Sequence, residues 1–468
     1  MNKTLPTTFI IMGVTGDLAR NKLFPALIDL SIKNLLPSQF NIVGFSRREI
    51  SKNDFDVFVK EALNKKQKYT LEQINDFLSH IEYVRGDFDN LESFKNLKKR
   101  ITEIDDERGV CGNKLIYLSV PPSLYETLFE NISKSGLSEP CGGENDWARI
   151  LVEKPFGKDT ETAKLLEKKL AKLFKEEQIF RIDHYLAKEV LQNILTFRFC
   201  NTMFEPLWSR KHIQSVHIHF FENGDASKRG AFYDGMGALR DVGQNHILQM
   251  LAMVAMEKPK ELNCRNIRNE RAKILSKITT KKQDYIKGQY EGYKNEDGVN
   301  PDSQTETFFN IKAFINNRRW KGVPFHIASG KALKESRVEI KIKFIDPDPN
   351  ELLPHQFTDQ EQNTLTFRIQ PHEGIGLLFW FRVPGFGSKI EPQTLKFNYA
   401  DNENTKIIPD AYEKVLYDCI VGDQTLFASS KEVEASWKYI SKVIEDWKSA
   451  PLLNYKKSED PFKIREKK

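Results

Sequence analysis

The segment Arg181-Ile182-Asp183-His184-Tyr185-Leu186-Ala187-Lys188-Glu189 concentrates more chemistry than any other part of the chain. A helix starting near His184 would put His184 and Lys188 four residues apart on one face with Tyr185 beside them, three donors suited to a phosphate monoester. The buried side of that helix would be Leu186, Val190, Asn193 and Phe197. Asp183, just ahead of it, is either a candidate acid for another partner or an ordinary N-cap among solvated neighbours. A second histidine, His246, closes Gly237-Ala238-Leu239-Arg240-Asp241-Val242-Gly243-Gln244-Asn245-His246 and runs into Ile247 to Met256, apolar nearly all round. Such a helix is buried, which places His246 inside the protein. There it is a hydrogen-bonded core residue or, if a carboxylate reaches it, an imidazole able to remove a hydroxyl proton.

Phosphate-binding features lie nearer the N-terminus. Gly13-Val14-Thr15-Gly16-Asp17-Leu18-Ala19 follows an apolar run and opens a helix. Glycine there lets backbone N–H groups approach a pyrophosphate, whose charge the helix N-terminus favours; the alternative is a glycine turn that only packs helix on strand. The next strand ends Gly44-Phe45-Ser46-Arg47-Arg48, with no acid before Glu49. An acid at that point suits the ribose 2′-hydroxyl of NAD, whereas a guanidinium suits a 2′-phosphate, so Arg47 or Arg48 points to NADP unless both are plain surface. Glu153-Lys154-Pro155 follows a further apolar run. Lys154 there stands at the carboxyl edge of a sheet, where ligands of open α/β sheets bind, or is a solvated surface lysine.

These residues need a scaffold, and the periodicities supply one. Phe9 to Met12, Phe40 to Phe45, Lys114 to Val120 and Arg149 to Val152 are short apolar runs, and Leu18 to Leu30 has helical spacing, which together predict βαβ units on a parallel sheet. Beyond about residue 180, alternation takes over at Val216/Ile218/Phe220, Val338/Ile340/Ile342/Phe344 and Leu365/Phe367/Ile369, the pattern of half-buried antiparallel strands. Val433 to Trp447 is a helix with Trp437, Ile440, Ile444 and Trp447 facing the core, while Lys281 to Pro301 and Ile345 to Leu353 are expected loops. The fold class expected is therefore an α/β Rossmann-like dinucleotide-binding domain over residues 1–180, then a larger α+β domain with a mostly antiparallel sheet over residues 181–468.

Composition narrows the function classes. The 468 residues, 40% of them hydrophobic and 29% charged, can fill two sizeable cores and are not the makeup of a disordered or fibrous chain. No uncharged apolar stretch nears a membrane span of roughly 18 residues, and no apolar signal region precedes the first strand, so neither membrane insertion nor export is expected. Lys and Arg number 71 against 65 Asp and Glu, a net charge of +6 that is scattered, which predicts no nucleic-acid partner and suits an anionic small substrate. The five cysteines lie far apart with no metal-ligand spacing, so reduced cytoplasmic thiols and no metal are expected.

The motifs Gly-x-x-Gly-Asp-Leu-Ala, Glu-Lys-Pro-Phe-Gly, Arg-Ile-Asp-His-Tyr-Leu-x-Lys-Glu, Arg-Asp-x-x-Gln-Asn-His and Gly-Lys-Ala-Leu, in this order, resemble the glucose-6-phosphate dehydrogenase family, from Phe9 to about Phe427. The resemblance implies oxidation of glucose 6-phosphate by NADP, the first step of the oxidative pentose phosphate pathway, in a cytoplasmic homodimer or homotetramer. It implies that His246 is the general base for the C1 hydroxyl and that Asp183 orients and stabilises its imidazolium. His184, Tyr185 and Lys188 would hold the 6-phosphate, and Lys154, Glu222, Asp241 and Lys331 the sugar hydroxyls. Gly13, Thr15, Gly16, Asp17, Leu18, Arg47, Tyr125 and Lys154 would form the NADP site. Ala187 stands where the family usually has Gly. Ser336 replaces a second basic contact, with Lys334 and Arg337 nearby, and Leu378 falls at a basic position of a second, structural NADP site, which is therefore not expected. Two rivals remain. An oxidoreductase of unphosphorylated sugars, of the glucose-fructose oxidoreductase kind, has no use for the His184, Tyr185 and Lys188 cluster, and a catalytically dead NADPH sensor has no need of Asp183 and His246.

Overall fold

Strands covered on both faces run mostly hydrophobic, and in the computed structural model all six residues of β1 (Thr7–Met12) and of β4 (Asn113–Leu118) are buried, the polar ones, Thr7, Thr8, Asn113 and Lys114, at the strand starts. The structure describes residues 5–143, 146–346, 362–386, 390–401 and 408–466. With β2 (Phe40–Ser46), β3 (Ile81–Arg85), β5 (Ala148–Val152) and β6 (Ile179–Ile182), β1 and β4 form a parallel sheet in the order 6-5-4-1-2-3. This is the doubly wound order, and its direction reverses between β1 and β4.

One further strand, Phe427–Ala428, closes the β6 edge antiparallel, with Ile182 opposite Phe427. The compact unit built on this sheet comprises Met1–Gly157, Glu161–Ala187 and Pro409–Ser430. It thus runs past residue 180 and takes in a late segment, Pro409–Ser430, from beyond the expected boundary. That segment is well tied within the unit. Arg149 donates to the Cys419 and Ile420 carbonyls at 2.6 and 2.8 Å, Gln424 donates to the Ile179 carbonyl at 3.0 Å, and Lys33 pairs with Glu413.

The second unit holds Lys158–Thr160, Lys188–Ile408 and Lys431–Lys468. Its strands are β7 (Ile213–Phe221), β8 (Ile278–Tyr290), β9 (Phe308–Ile315), β10 (Phe325–Gly330), β11 (Arg337–Phe344), β12 (Thr364–Gln370), β13 (Gly374–Arg382) and β14 (Ile390–Asn398). They form one sheet in the order 14-13-12-11-7-10-9-8, with Leu452–Tyr455 added beside β8. Neighbours are antiparallel except β7 with β10 and β8 with Leu452–Tyr455. The alternation behaves as expected, with Val338, Ile340, Ile342, Leu365, Phe367 and Ile369 all buried. The helix Leu248–Ala255 is buried at every position, and on Ser430–Asp446 the buried stripe is Val433, Trp437, Ile440 and Val443, with Ile444 half-buried.

Four expectations are corrected. The helix expected near His184 begins at Glu189, because Asp183 accepts the Tyr185 N–H at 3.1 Å and the Leu186 N–H bonds back to the Asp183 carbonyl, holding His184–Ala187 in a turn. Its buried side is consequently Val190, Leu191, Ile194, Leu195, Arg198 and Phe199, while Asn193 and Phe197 are half-buried. Residues from Lys281 to Tyr290 lie in the strand β8, where pairing with β9 overrides their polarity; of the expected loop Ile345 to Leu353, residues from 347 on lie outside the described ones. Cys111 and Cys141 form a disulfide rather than two thiols, since the turns before β4 and β5 bring their Cα atoms to 5.9 Å.

Candidate active site

In the first unit, the turn after β1 sits at the point where strand order reverses. Gly13 has φ +82, and a Cβ built on it would lie 2.4 Å from the Ser119 carbonyl oxygen just beyond β4. Only glycine lets the two strand ends approach that closely while keeping backbone available to a phosphate. Gly13 donates to the Phe45 carbonyl at 2.8 Å, Gly16 donates to the Gly13 carbonyl at 2.9 Å, and Thr15 and Ser46 hydroxyls lie 3.0 Å apart, which ties the turn to the end of β2. Asp17 and Leu18 begin the helix, whose first full turn, Ala19–Leu23, is a wide π turn. Beyond β2, Arg47 and Arg48 are exposed and have no carboxylate partner among the described residues, whereas Glu49 pairs with Arg85 at 3.5 Å. A guanidinium with no partner of its own fits a 2′-phosphate.

Glu153 and Lys154 follow β5 on the same edge, both half-buried. Tyr125 is buried and donates to the Glu153 carbonyl at 2.9 Å, and Tyr117 donates to Glu153 Oε1 at 2.6 Å. Burial raises the Glu153 carboxyl, with the Tyr117 hydrogen bond and the Lys154 charge opposing. Tyr125 therefore fixes the backbone that presents Lys154. Asp183 leaves β6 buried, and the His184 and Tyr185 rings follow 4.9 Å apart, half-buried.

Register explains the second unit's site. β7 and β10 run parallel with Phe221 opposite Gly330, so the next residues of both, Glu222 and Lys331, leave the sheet side by side. Lys331 Nζ reaches Glu222 Oε2 at 2.7 Å and lies 5.5 Å from the Tyr233 ring centre. His246, 2% exposed, stacks on Phe220 with ring centres 6.0 Å apart and planes 15° from parallel. It sits in a π-helix, Leu239–Ile247. Bonds from i to i+5 bring residues five apart onto adjacent turns, the spacing of Asp241 and His246, and such segments recur at functional sites. Lys188 pairs with Glu373 at 3.3 Å.

Tyr233 was missed by sequence reasoning. It is fully buried, its hydroxyl has no hydrogen-bond partner among the described residues, and burial followed by the charges of Asp241, Glu306 and Glu222 raises its pKa. Nothing in Phe232-Tyr233-Asp234 signals this.

Each unit thus carries part of a familiar division of labour, and their sheets define the class: an oxidoreductase that holds a dinucleotide on a doubly wound sheet and pairs it with a mixed-sheet substrate domain. Residues 10–193 match the glucose-6-phosphate dehydrogenase NAD binding domain, and residues 195–466 match the glucose-6-phosphate dehydrogenase C-terminal domain. Glucose-6-phosphate 1-dehydrogenase of Chlamydia muridarum is 38% identical over 461 residues, covering 94% of this chain and 90% of its own. Its counterpart in Dictyostelium discoideum is 40% identical over 449 residues, covering 94% and 88%. A solved glucose-6-phosphate dehydrogenase in complex with its substrate glucose-6-phosphate aligns with a TM-score of 0.90 at 34% identity, over 98% of this chain and 96% of that one. The chain belongs to the glucose-6-phosphate dehydrogenase family.

Proposed function

We propose that this chain oxidises glucose 6-phosphate at C1 to 6-phosphoglucono-1,5-lactone with NADP, the first step of the oxidative pentose phosphate pathway. Family membership over nearly the whole chain carries the reading. The Gly13 crevice and the unpartnered Arg47 support the choice of dinucleotide. NADP when bound supplies the hydride acceptor. Gly13, Thr15, Gly16, Asp17 and Leu18 hold its pyrophosphate end, Arg47 its 2′-phosphate, and Tyr125 and Lys154 the nearby edge of β5.

His246 takes the C1 hydroxyl proton onto a ring nitrogen as the carbonyl forms, and Asp183 stabilises the resulting imidazolium. His184, Tyr185 and Lys188 bind the 6-phosphate, while Lys154, Glu222, Asp241 and Lys331 bind sugar hydroxyls. Glu222 and Lys331 suit that task because, paired with each other, they offer an acceptor and a donor side by side.

A cytoplasmic location is proposed with it, supported by a phosphorylated substrate that does not cross a bilayer unaided. A homodimer or homotetramer is proposed because β14 leaves Leu395 and Phe397 exposed on the sheet.

The test follows the near-ultraviolet absorbance of the reduced dinucleotide with glucose 6-phosphate or glucose, each with NADP or NAD. Turnover is expected with glucose 6-phosphate and NADP. A preference for free glucose would favour an oxidoreductase of unphosphorylated sugars, and no turnover at all a dinucleotide sensor. His246→Asn should lower kcat by roughly 10²- to 10⁴-fold, Asp183→Asn by less, and the double variant should be no worse than His246→Asn, since residues acting as a unit are non-additive. Near-normal kcat in His246→Asn would demote that histidine to a core residue.

A further inference from the structure

Away from these residues, the second unit contains a cavity of about 630 Å³ between the loop after helix Glu189–Phe199, the segment following helix Leu248–Ala255 and the turn between β9 and β10. Its floor is rigid. Arg198, fully buried, donates to the Val254 and Met256 carbonyls at 2.9 Å each, and Trp208 donates to the Val254 carbonyl at 2.7 Å. Arg319 donates to the Trp208 carbonyl at 2.9 Å.

Charge on its wall is unbalanced. Six cations line it, Arg198, Arg210, Lys211, Lys258, Arg318 and Arg319, against Glu205 and Glu257. Both carboxylates are already engaged. Glu205 pairs with Arg198 at 3.1 Å and Arg319 at 2.8 Å, and Glu257 with Arg319 at 2.7 Å. Arg210, Lys211, Lys258 and Arg318 are exposed and have no carboxylate partner among the described residues. The buried Arg198 also keeps its Nε without a hydrogen-bond partner. Burial, reinforced by the neighbouring Arg319 charge, brings the Arg198 guanidinium down to about 10. Like charges held together on a concave surface cost free energy that an anion would relieve, and a concave wall focuses the field. A second copy of the chain meeting the cavity through the same face would present the same positive charge and does not fit.

We propose that this cavity is a binding site for a small, multiply charged phosphate compound, of the size of a nucleotide or an oligophosphate, separate from the residues assigned to catalysis. Arg210, Lys211, Lys258 and Arg318 supply the charge, and the Thr202 and Ser209 hydroxyls, which also line the cavity, supply neutral donors.

The experiment titrates the full-length enzyme with tripolyphosphate by calorimetry, in physiological salt to suppress loose surface pairing and with NADPH and glucose 6-phosphate both saturating, so that the dinucleotide site and the substrate phosphate subsite are filled and no turnover occurs. A parallel titration uses Arg210→Ser/Lys211→Ser/Arg318→Ser, exposed changes that leave the fold and basal turnover intact. Wild type should bind one equivalent, and the triple variant should bind at least about tenfold more weakly, the loss of roughly one charge-assisted contact. Equal affinity in the two proteins would put the anion elsewhere and overturn the proposal. So would the absence of wild-type binding at millimolar tripolyphosphate. ADP in a third arm distinguishes a nucleotide from a bare oligophosphate, tighter binding of ADP assigning the former.

Discussion

Replacing Gly13 by alanine tests the idea that the crevice between β1 and β4 is built to its limit. At φ +82 an L-residue is disfavoured, and the added Cβ would meet the Ser119 carbonyl oxygen at 2.4 Å and Val120 Cγ1 at 2.7 Å. The dihedral costs about 1 to 2 kcal/mol, and overpacking against backbone that has to move adds about 1 to 3 kcal/mol. Gly109 supplies the control. It has φ +66 at the end of helix Leu91–Arg108, but nothing lies within 4 Å of its Cβ position. Gly109→Ala should therefore cost only the dihedral part, about 1 to 2 kcal/mol, and leave kinetics unchanged. Gly13→Ala should cost about 2 to 5 kcal/mol of unfolding free energy. If half of that falls on the phosphate-binding turn, NADP affinity drops by roughly 5- to 70-fold. Denaturant unfolding and KM for NADP, measured on both variants, separate the two contributions. A Gly13→Ala enzyme no less stable than Gly109→Ala, with an unchanged KM for NADP, would refute the close-approach argument.

Arg47→Ala should weaken NADP by about 10- to 150-fold, a charge-assisted contact of about 1.5 to 3 kcal/mol, and leave NAD kinetics alone; equal losses with both dinucleotides would move the 2′-phosphate contact elsewhere. His217 hydrogen-bonds Ser215 at 3.0 Å and stacks on His326, and burial, with the neighbouring His326 charge, lowers it to about 2. Its folded pKa lies below the unfolded value, so the unfolded chain binds the extra proton and stability falls as pH drops through about 6.5, by about 2 kcal/mol between pH 7 and 5. Unfolding of His217→Gln across that range should lose this slope, and an unaltered slope would count against the assignment. Glu432→Gln breaks the fully buried pair with Arg271 at 2.7 Å and should cost about 3 to 5 kcal/mol, read by denaturant midpoint; a loss under about 1 kcal/mol would show that the pair is well replaced.

Legibility in the sequence followed the physics of each element. Phe9 to Met12 and Arg149 to Val152 read clearly because doubly covered parallel strands carry no polar face. β8 did not, since its outward side chains are polar over a length of 13 residues, and its pairing with β9 is a tertiary fact. The glycine turn and Arg47 could be read in place because each follows its own strand directly. Glu222 and Lys331 came only from the family resemblance, since their adjacency depends on β7 and β10 being parallel neighbours. A spacing of five between Asp241 and His246 matches neither helix nor strand period, so the π-helix left no trace. Tyr233 was hidden for a related reason, because its surroundings come from segments far apart in sequence.

The strand that covers the β6 edge has a consequence for how the protein is born. Ile182 waits for Phe427, which leaves the ribosome about 245 residues later. At roughly 5 to 20 residues per second, the open edge of the dinucleotide sheet stays bare for about 10 to 50 s of synthesis. An uncapped strand edge is a template for pairing with other nascent chains. Elongation speed and chaperone supply, rather than the stability of the finished enzyme, should then set how much of it reaches the native state, and a fragment ending at Ala187 should aggregate where the full chain does not.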